Sequence, residues 1–151
     1  MHVYQKSTLI ACSVEDLYAF HLDVANLVRI TPPNMKVTLL NKQSFTPKEG
    51  ANLLIRSQQG LFVSLWEVMI KKMHAPDIIV DQALKSPFAH WEHFHMFIDL
   101  GDGMCELRDR VEYTLPLGWF GDLFDFVVRT QFDGMFRHRH EATKAILEHN
   151  K

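Results

Sequence analysis

The chain has 151 residues, enough to bury a core of its own and few enough to expect a single domain over residues 1–151. Sixteen Lys and Arg stand against eighteen Asp and Glu, a formal charge of -2, and without a basic stripe no nucleic-acid surface is expected. No eighteen apolar residues run together, so no integral membrane segment is expected.

The opening MHVYQKSTLIAC lacks the basic segment and long apolar run of a secretory signal, and the expectation is a soluble, cytoplasmic protein. Cys12 and Cys105 are the only cysteines. They form no CxxC pair, fit neither a disulfide framework nor a zinc site, and read as reduced structural residues.

Residues 3–12 mix β-branched and aromatic side chains and read as a strand. Ser13, three residues before Asp16, can cap the helix that VEDLYAFHLD begins. A second short helix, VANLVRI, ends before Pro32, which disfavours helical geometry at Thr31. Strands are then expected over 35–40, 52–57, 62–74, 77–84, 89–100 and 104–115. Gly50, Gly60, Pro76, Pro87 and Gly101-Asp102-Gly103 punctuate them. The remainder is free of proline and has helical periodicity from about 122 to 149, with Asp122 as its expected N-cap. Consecutive strands joined by tight turns make an antiparallel sheet with one apolar face to cover. The last helix is the element long enough to cover it, and a curved sheet gripping a helix encloses a concave space suited to a small ligand.

The stretches SPFAHWEHFHMF, ELRDRVEYTLPLG and MFRHRHEATKAIL, set in this order of elements, resemble the START and birch-pollen-allergen (SRPBCC) superfamily, in particular its bacterial polyketide cyclase/dehydrase-like ligand-binding branch. The resemblance covers nearly the whole chain. It implies an α+β helix-grip fold: a curved antiparallel sheet of about seven strands wrapped around a long C-terminal helix, with two short helices after the first strand. It is specific for fold and leaves function open, since the superfamily holds lipid carriers, receptors, cyclases and oxygenase domains. The chain has neither Rieske cysteines nor an epimerase domain, so those chemistries are not implied.

HWEHFHMF places three histidines in eight residues. If Leu100 pairs with Met104 across the glycine turn, Phe97 faces Leu107, His95 faces Asp109, His93 faces Val111 and Trp91 faces Tyr113, all on one side of the sheet. The opposite side carries more charge, so this set faces inward, and His90 falls outside it. Extending the alternation puts Ile78, Val80 and Gln82, then Trp66, Val68 and Ile70, on the same inner face.

The main reading is a binder of a small hydrophobic molecule. Trp66, Trp91, Phe97, Val111 and Tyr113 would supply apolar contacts, with Gln82, His93, His95 and Asp109 meeting its polar groups. The alternative is a cofactor-independent cyclase, dehydratase or isomerase, with His95 as base, Asp109 orienting it and Tyr113 polarising a carbonyl. A third reading takes His93, His95 and Asp109 as a facial metal triad. HxH on a strand is a weak signal for it, and no metal or other cofactor is expected. No protein partner can be named.

His138 and His140, two apart on a helix, do not share a face. His138 and Arg139 are expected to be exposed, and Phe132, Met135 and Phe136 to pack the core. TLPLGWFGD reads as a strand-to-helix turn whose Trp119 and Phe120 line a cavity mouth. Gly134 either opens space beneath the helix or allows a close strand contact.

Overall fold

The computed structural model describes residues 1–149. The chain order is β1 (His2–Ile10), α1 (Val14–Leu22), α2 (Ala25–Arg29), β2 (Lys36–Leu39), β3 (Asn52–Gln59), β4 (Phe62–His74), β5 (Ile78–Lys85), β6 (His90–Gly101), β7 (Met104–Thr114), α3 (Gly118–Asp122) and α4 (Asp125–His149), with one 3-10 turn at Lys42–Ser44. The strands form one antiparallel sheet in the order β1-β7-β6-β5-β4-β3-β2. Successive hairpins generate β2 to β7, and β1 closes the far edge beside β7. Ser13 caps α1 as expected, its hydroxyl accepting from the Asp16 amide at 3.1 Å.

The β6–β7 register is the expected one. His95 lies opposite Asp109, His93 opposite Val111, Trp91 opposite Tyr113 and Phe97 opposite Leu107. Only the tip differs: Gly101, not Leu100, pairs with Met104, after an irregularity beyond Asp99. Burial alternates strictly along β7, as it must for a strand with one covered face.

The expected face of β5 is reversed. Ile79 pairs with His95 and Asp81 with His93, whereas Gln82 pairs with Glu92. Ile79 and Asp81 therefore point inward, and Ile78, Val80 and Gln82 lie on the outer parity. The alternation is lost in the connection between β5 and β6, residues 86–89, since the pairing of the two strands is itself regular. Trp66, Val68 and Ile70 of β4 keep their expected inner face, the β4–β5 pairing shifting at Glu67/Val68 and Ile70/Lys72.

The C-terminal helical segment is in two pieces. Asp122 ends α3 instead of capping α4, and lies 2.8 Å from His2 Nε2. Gly121 allows a close approach, since a Cβ there would meet the Pro116 carbonyl oxygen at 1.9 Å. Gly134 is exposed, with nothing within 4 Å of a Cβ built on it. It therefore serves neither expected purpose.

Two apolar clusters form the core. Ile10, Val14, Leu17, Tyr18, Phe97 and Leu107 pack under α1, with the buried thiols of Cys12 and Cys105 beside them, 3.4 Å apart. Tyr4, Trp91, Val111, Tyr113, Phe132 and Phe136 pack under α4. Polar contacts fix α4 along β1. The Tyr4 hydroxyl donates to Asp133, Thr8 pairs with His140, Lys144 donates to the Leu9 carbonyl, and Glu148 accepts from the Ala11 amide.

Candidate functional site

A cavity of about 470 Å³ lies between the sheet, the α1–α2 segment and α4. Its walls are largely apolar, with Leu27, Ile55, Trp66, Val68, Trp91 and Phe132 among them. Trp66 and Trp91 meet edge to face with centroids 5.0 Å apart, a geometry favoured by the ring quadrupoles.

The polar part of the wall sits where the two core clusters meet. On the inner face of β7, Leu107 belongs to one cluster and Val111 to the other, with Asp109 between them. The Asp109 carboxylate accepts from His93 Nε2 at 2.8 Å and from His140 Nε2 at 2.6 Å. His140 Nδ1 pairs in turn with the Thr8 hydroxyl at 2.7 Å. His95 Nε2 donates to Asp81 at 2.7 Å, and its Nδ1 lies 3.2 Å from Asp109. The His93 and His95 rings stack with centroids 3.9 Å apart, and the His21 ring of α1 lies 5.9 Å from that of His95.

Charge follows from these contacts. Burial disfavours ionisation of Asp109, yet the imidazoles of His140, His93 and His95 outweigh it and hold the carboxyl well below its usual range. Burial likewise opposes a charge on His95, but Asp81 and Asp109 prevail and raise it to about 10. It is an imidazolium near neutral pH. Burial, reinforced by that positive neighbour, lowers His93 and takes His21 down to about 4. The His21 Nδ1 donates to the Leu17 carbonyl, which leaves Nε2 as the unprotonated nitrogen of the neutral ring.

Of the residues expected at the site, Trp66, Trp91, His93, His95 and Asp109 line the cavity. Four others are placed elsewhere. Gln82 is on the opposite side of β5 for the parity reason above. Phe97 is capped by Tyr18 and His21 of α1, with centroids 5.7 and 4.9 Å away. Val111 is sealed in the cluster under α4. Tyr113 is fully buried, and its hydroxyl donates to Asp125. Facing inward was necessary for cavity contact but not sufficient, because docked helices cover much of the inner face.

The sequence reading missed Asp81, His21, His140 and Arg139. A lone acid in the apolar run IIVDQAL was a signal for Asp81. His140 continues the stripe Phe132, Phe136 at four-residue spacing and is 1 % exposed. Arg139 is not exposed as expected: it follows Gln131 and Met135 on the adjacent stripe, and all three line the cavity. Trp119 and Phe120 do not line the mouth. They stand in solvent, 76 % and 50 % exposed, against each other. Among the described residues, Asp81, His93 and His95 place metal-type donor atoms within 4.8 Å of one another. Asp109 is not the third member, and both imidazoles are already bonded to carboxylates.

No family model and no curated relative matches the chain. Solved structures do. A START superfamily protein from Mycobacterium smegmatis superposes with a TM-score of 0.70 at 13% identity, over 100% of both chains. Ara h 8.0201 gives 0.66 at 11% identity, over 94% of this chain and 97% of its own. The di-domain ARO/CYC BexL from the BE-7585A biosynthetic pathway gives 0.70 at 18% identity over 98% of this chain, which spans 47% of that longer protein. A protein from Chromobacterium violaceum gives 0.76 at 10% identity, over 98% and 99%. With seven antiparallel strands, a long C-terminal helix and these neighbours, the chain has the helix-grip fold, which it shares with the START superfamily protein and with Ara h 8.0201.

Proposed function

We propose that the protein binds a small, mostly hydrophobic molecule between the sheet and α4. The supporting observation is the cavity itself: about 470 Å³ of largely apolar space, with Asp81, His93, His95 and Asp109 clustered on its sheet wall. That combination fits a ligand held by area and oriented by a few polar contacts. Each Å² of apolar ligand surface removed from water contributes about 25 cal/mol. Native mass spectrometry of the purified protein, followed by denaturing release and elemental metal analysis of the same sample, tests it. A released hydrophobic molecule supports the reading. A stoichiometric metal lost on replacing His93 and His95 would replace it with a metal centre.

A second reading, acid–base turnover of a ketone-bearing ligand, draws on the pairing of a charged His95 with a neutral His21 on one cavity wall. The roles differ from those expected of the sequence. His95, held protonated by two carboxylates, is the group present in its acid form, and His21, with Nε2 unprotonated, is the group present in its base form. Tyr113 is bonded to Asp125 and takes no part. Deuterium exchange into a bound ketone, lost in His21→Ala and retained in Tyr113→Phe, would support turnover.

A further inference from the structure

Three arginines of the sheet and of α4 hold carboxylates: Arg108 with Glu106, Arg110 with Glu112 and Arg129 with Asp125, at 2.6 to 2.8 Å. Arg139 does not. It projects from α4 into the cavity. Its Nε is buried without a hydrogen-bond partner, and no carboxylate pairs with the guanidinium among the described residues. The guanidinium carbon lies 5.7 Å from the centre of the Phe136 ring. Burial works against its charge and pushes its pKa down, with nearby Asp109 opposing this only in part; the two oxygens of Asp109 are occupied by His93 and His140. An arginine stays charged in proteins and offers five N–H groups in a planar fork. Burying such a group unpaired costs free energy unless something arrives to pair with it.

We propose that Arg139 is the anion-recognition residue of the cavity and that the ligand is an amphipathic monoacid, an apolar body carrying one carboxylate. This rests on the binding function proposed above and names the class of molecule bound. The fork geometry matches a carboxylate bidentately. A single charge suits the wall, since Asp81 and Asp109 on the same wall would repel a dianion. The aromatic and aliphatic lining takes the body of the molecule. The stripe Gln131, Met135, Arg139 on α4 then runs from neutral to cationic along the ligand.

The test compares decanoate with decanol, one tail with two head groups, by titration calorimetry at neutral pH. Wild type, Arg139→Met and Arg139→Lys are compared. A charge-assisted pair predicts that wild type prefers decanoate by roughly ten- to a hundred-fold. Arg139→Met should abolish the preference while still binding decanol, and Arg139→Lys, a cation without the fork, should keep part of it. Equal wild-type affinity for the two, or a decanoate preference surviving Arg139→Met, overturns the anion assignment and leaves the cavity reading standing. Failure of both amphiphiles to bind any of the three proteins counts against the cavity reading itself. A ligand-free readout is independent of the choice of tail. Relieved of an unpaired charge, Arg139→Met should melt roughly 2–6 °C higher than wild type. A lower melting temperature would mean the guanidinium is structural, and would overturn the proposal.

Discussion

Asp109 offers the sharpest test of how the polar wall is built, because two substitutions there separate charge from hydrogen bonding. In Asp109→Asn the side chain keeps its shape and can still bond both neighbours. Its oxygen accepts from His93, and its amide donates to His140 once that ring moves its proton to Nδ1. The Thr8 hydroxyl, 2.7 Å away, accepts that proton as readily as it donates. What is lost is the negative charge 3.2 Å from the His95 imidazolium. Asp81 remains on the other side of that ring, so the cost is that of one charge-assisted contact, about 2 kcal/mol. Asp109→Ala removes the acceptors as well. It strands the His93 and His140 rings, which are 7% and 1% exposed, and should cost about 4 kcal/mol.

Urea denaturation at neutral pH reads the difference. With a slope of about 2 kcal/mol per molar for a chain of this size, the midpoint should fall by about 1 M in Asp109→Asn and about 2 M in Asp109→Ala. Equal losses in the two variants would show that the carboxylate acts only through its bonds and that His95 is not held as a cation. A loss under about 1 kcal/mol in Asp109→Ala would refute the central place given to this residue.

Stability should peak near pH 6.5, the ordinary histidine value, in a series of thermal melts. His21, lowered to about 4, destabilises the fold as pH falls from 6.5 towards 4, because the unfolded chain takes up a proton that the native state refuses. His95, raised to about 10, contributes fully below 6.5, and that contribution is lost as pH climbs towards 10. Stability rising steadily from pH 6.5 to 9.5 would contradict the imidazolium. Gly134→Ala, on an open helix face, should stabilise by about 0.5–1 kcal/mol. Gly121→Ala, which drives a methyl into the Pro116 carbonyl, should destabilise by about 1–3 kcal/mol; chemical denaturation of both checks the sign. Tyr113→Phe should cost about 1 kcal/mol, since Asp125 keeps Arg129 at 2.8 Å, and should leave ligand affinity unchanged. A large affinity loss there would place the phenol at the ligand after all.

The β6–β7 hairpin was legible because a glycine turn, two long strands and a clear contrast of charge between faces all specify one register. His95, His93, Trp91 and Asp109 were placed correctly on that basis alone. Legibility ended at the first connection with no such turn. Between β5 and β6 the chain passes through Ser86, Pro87 and Phe88. One residue of slip there exchanged Gln82 for Asp81 at the polar wall. Helix docking was illegible for a different reason. Alternation tells which way Phe97, Val111 and Tyr113 point, but not that Tyr18, Phe136 and Asp125 will be waiting there. Arg139 was misread because a charge on a helix usually marks the solvated face. The adjacent stripe of Gln131 and Met135 gave no strong apolar signal to the contrary.

The cavity follows from a mismatch of widths. Seven strands at a spacing of about 4.8 Å make a sheet about 29 Å across, whereas a helix with its side chains covers about 10–12 Å. One helix cannot cover that face, and α4 is not centred on it. Its polar contacts run along β1, from Tyr4–Asp133 to Ala11–Glu148. The two spans agree: fifteen helical residues rise about 22 Å and seven strand residues about 23 Å. The helix and the strand therefore stay in step for the whole ladder. Asp109 adds a tie from β7 through His140. Anchored at this edge, α4 leaves the inner faces of β2, β3 and β4 to the short α1–α2 segment, and residues such as Val37, Leu53, Ile55 and Val68 border open space. Collapsing that space would require α4 to slide off β1 and break the ladder, exposing the donors and acceptors that now satisfy one another. The void is held open by polar bonds on one side of the molecule, and a ligand entering it meets walls already in place.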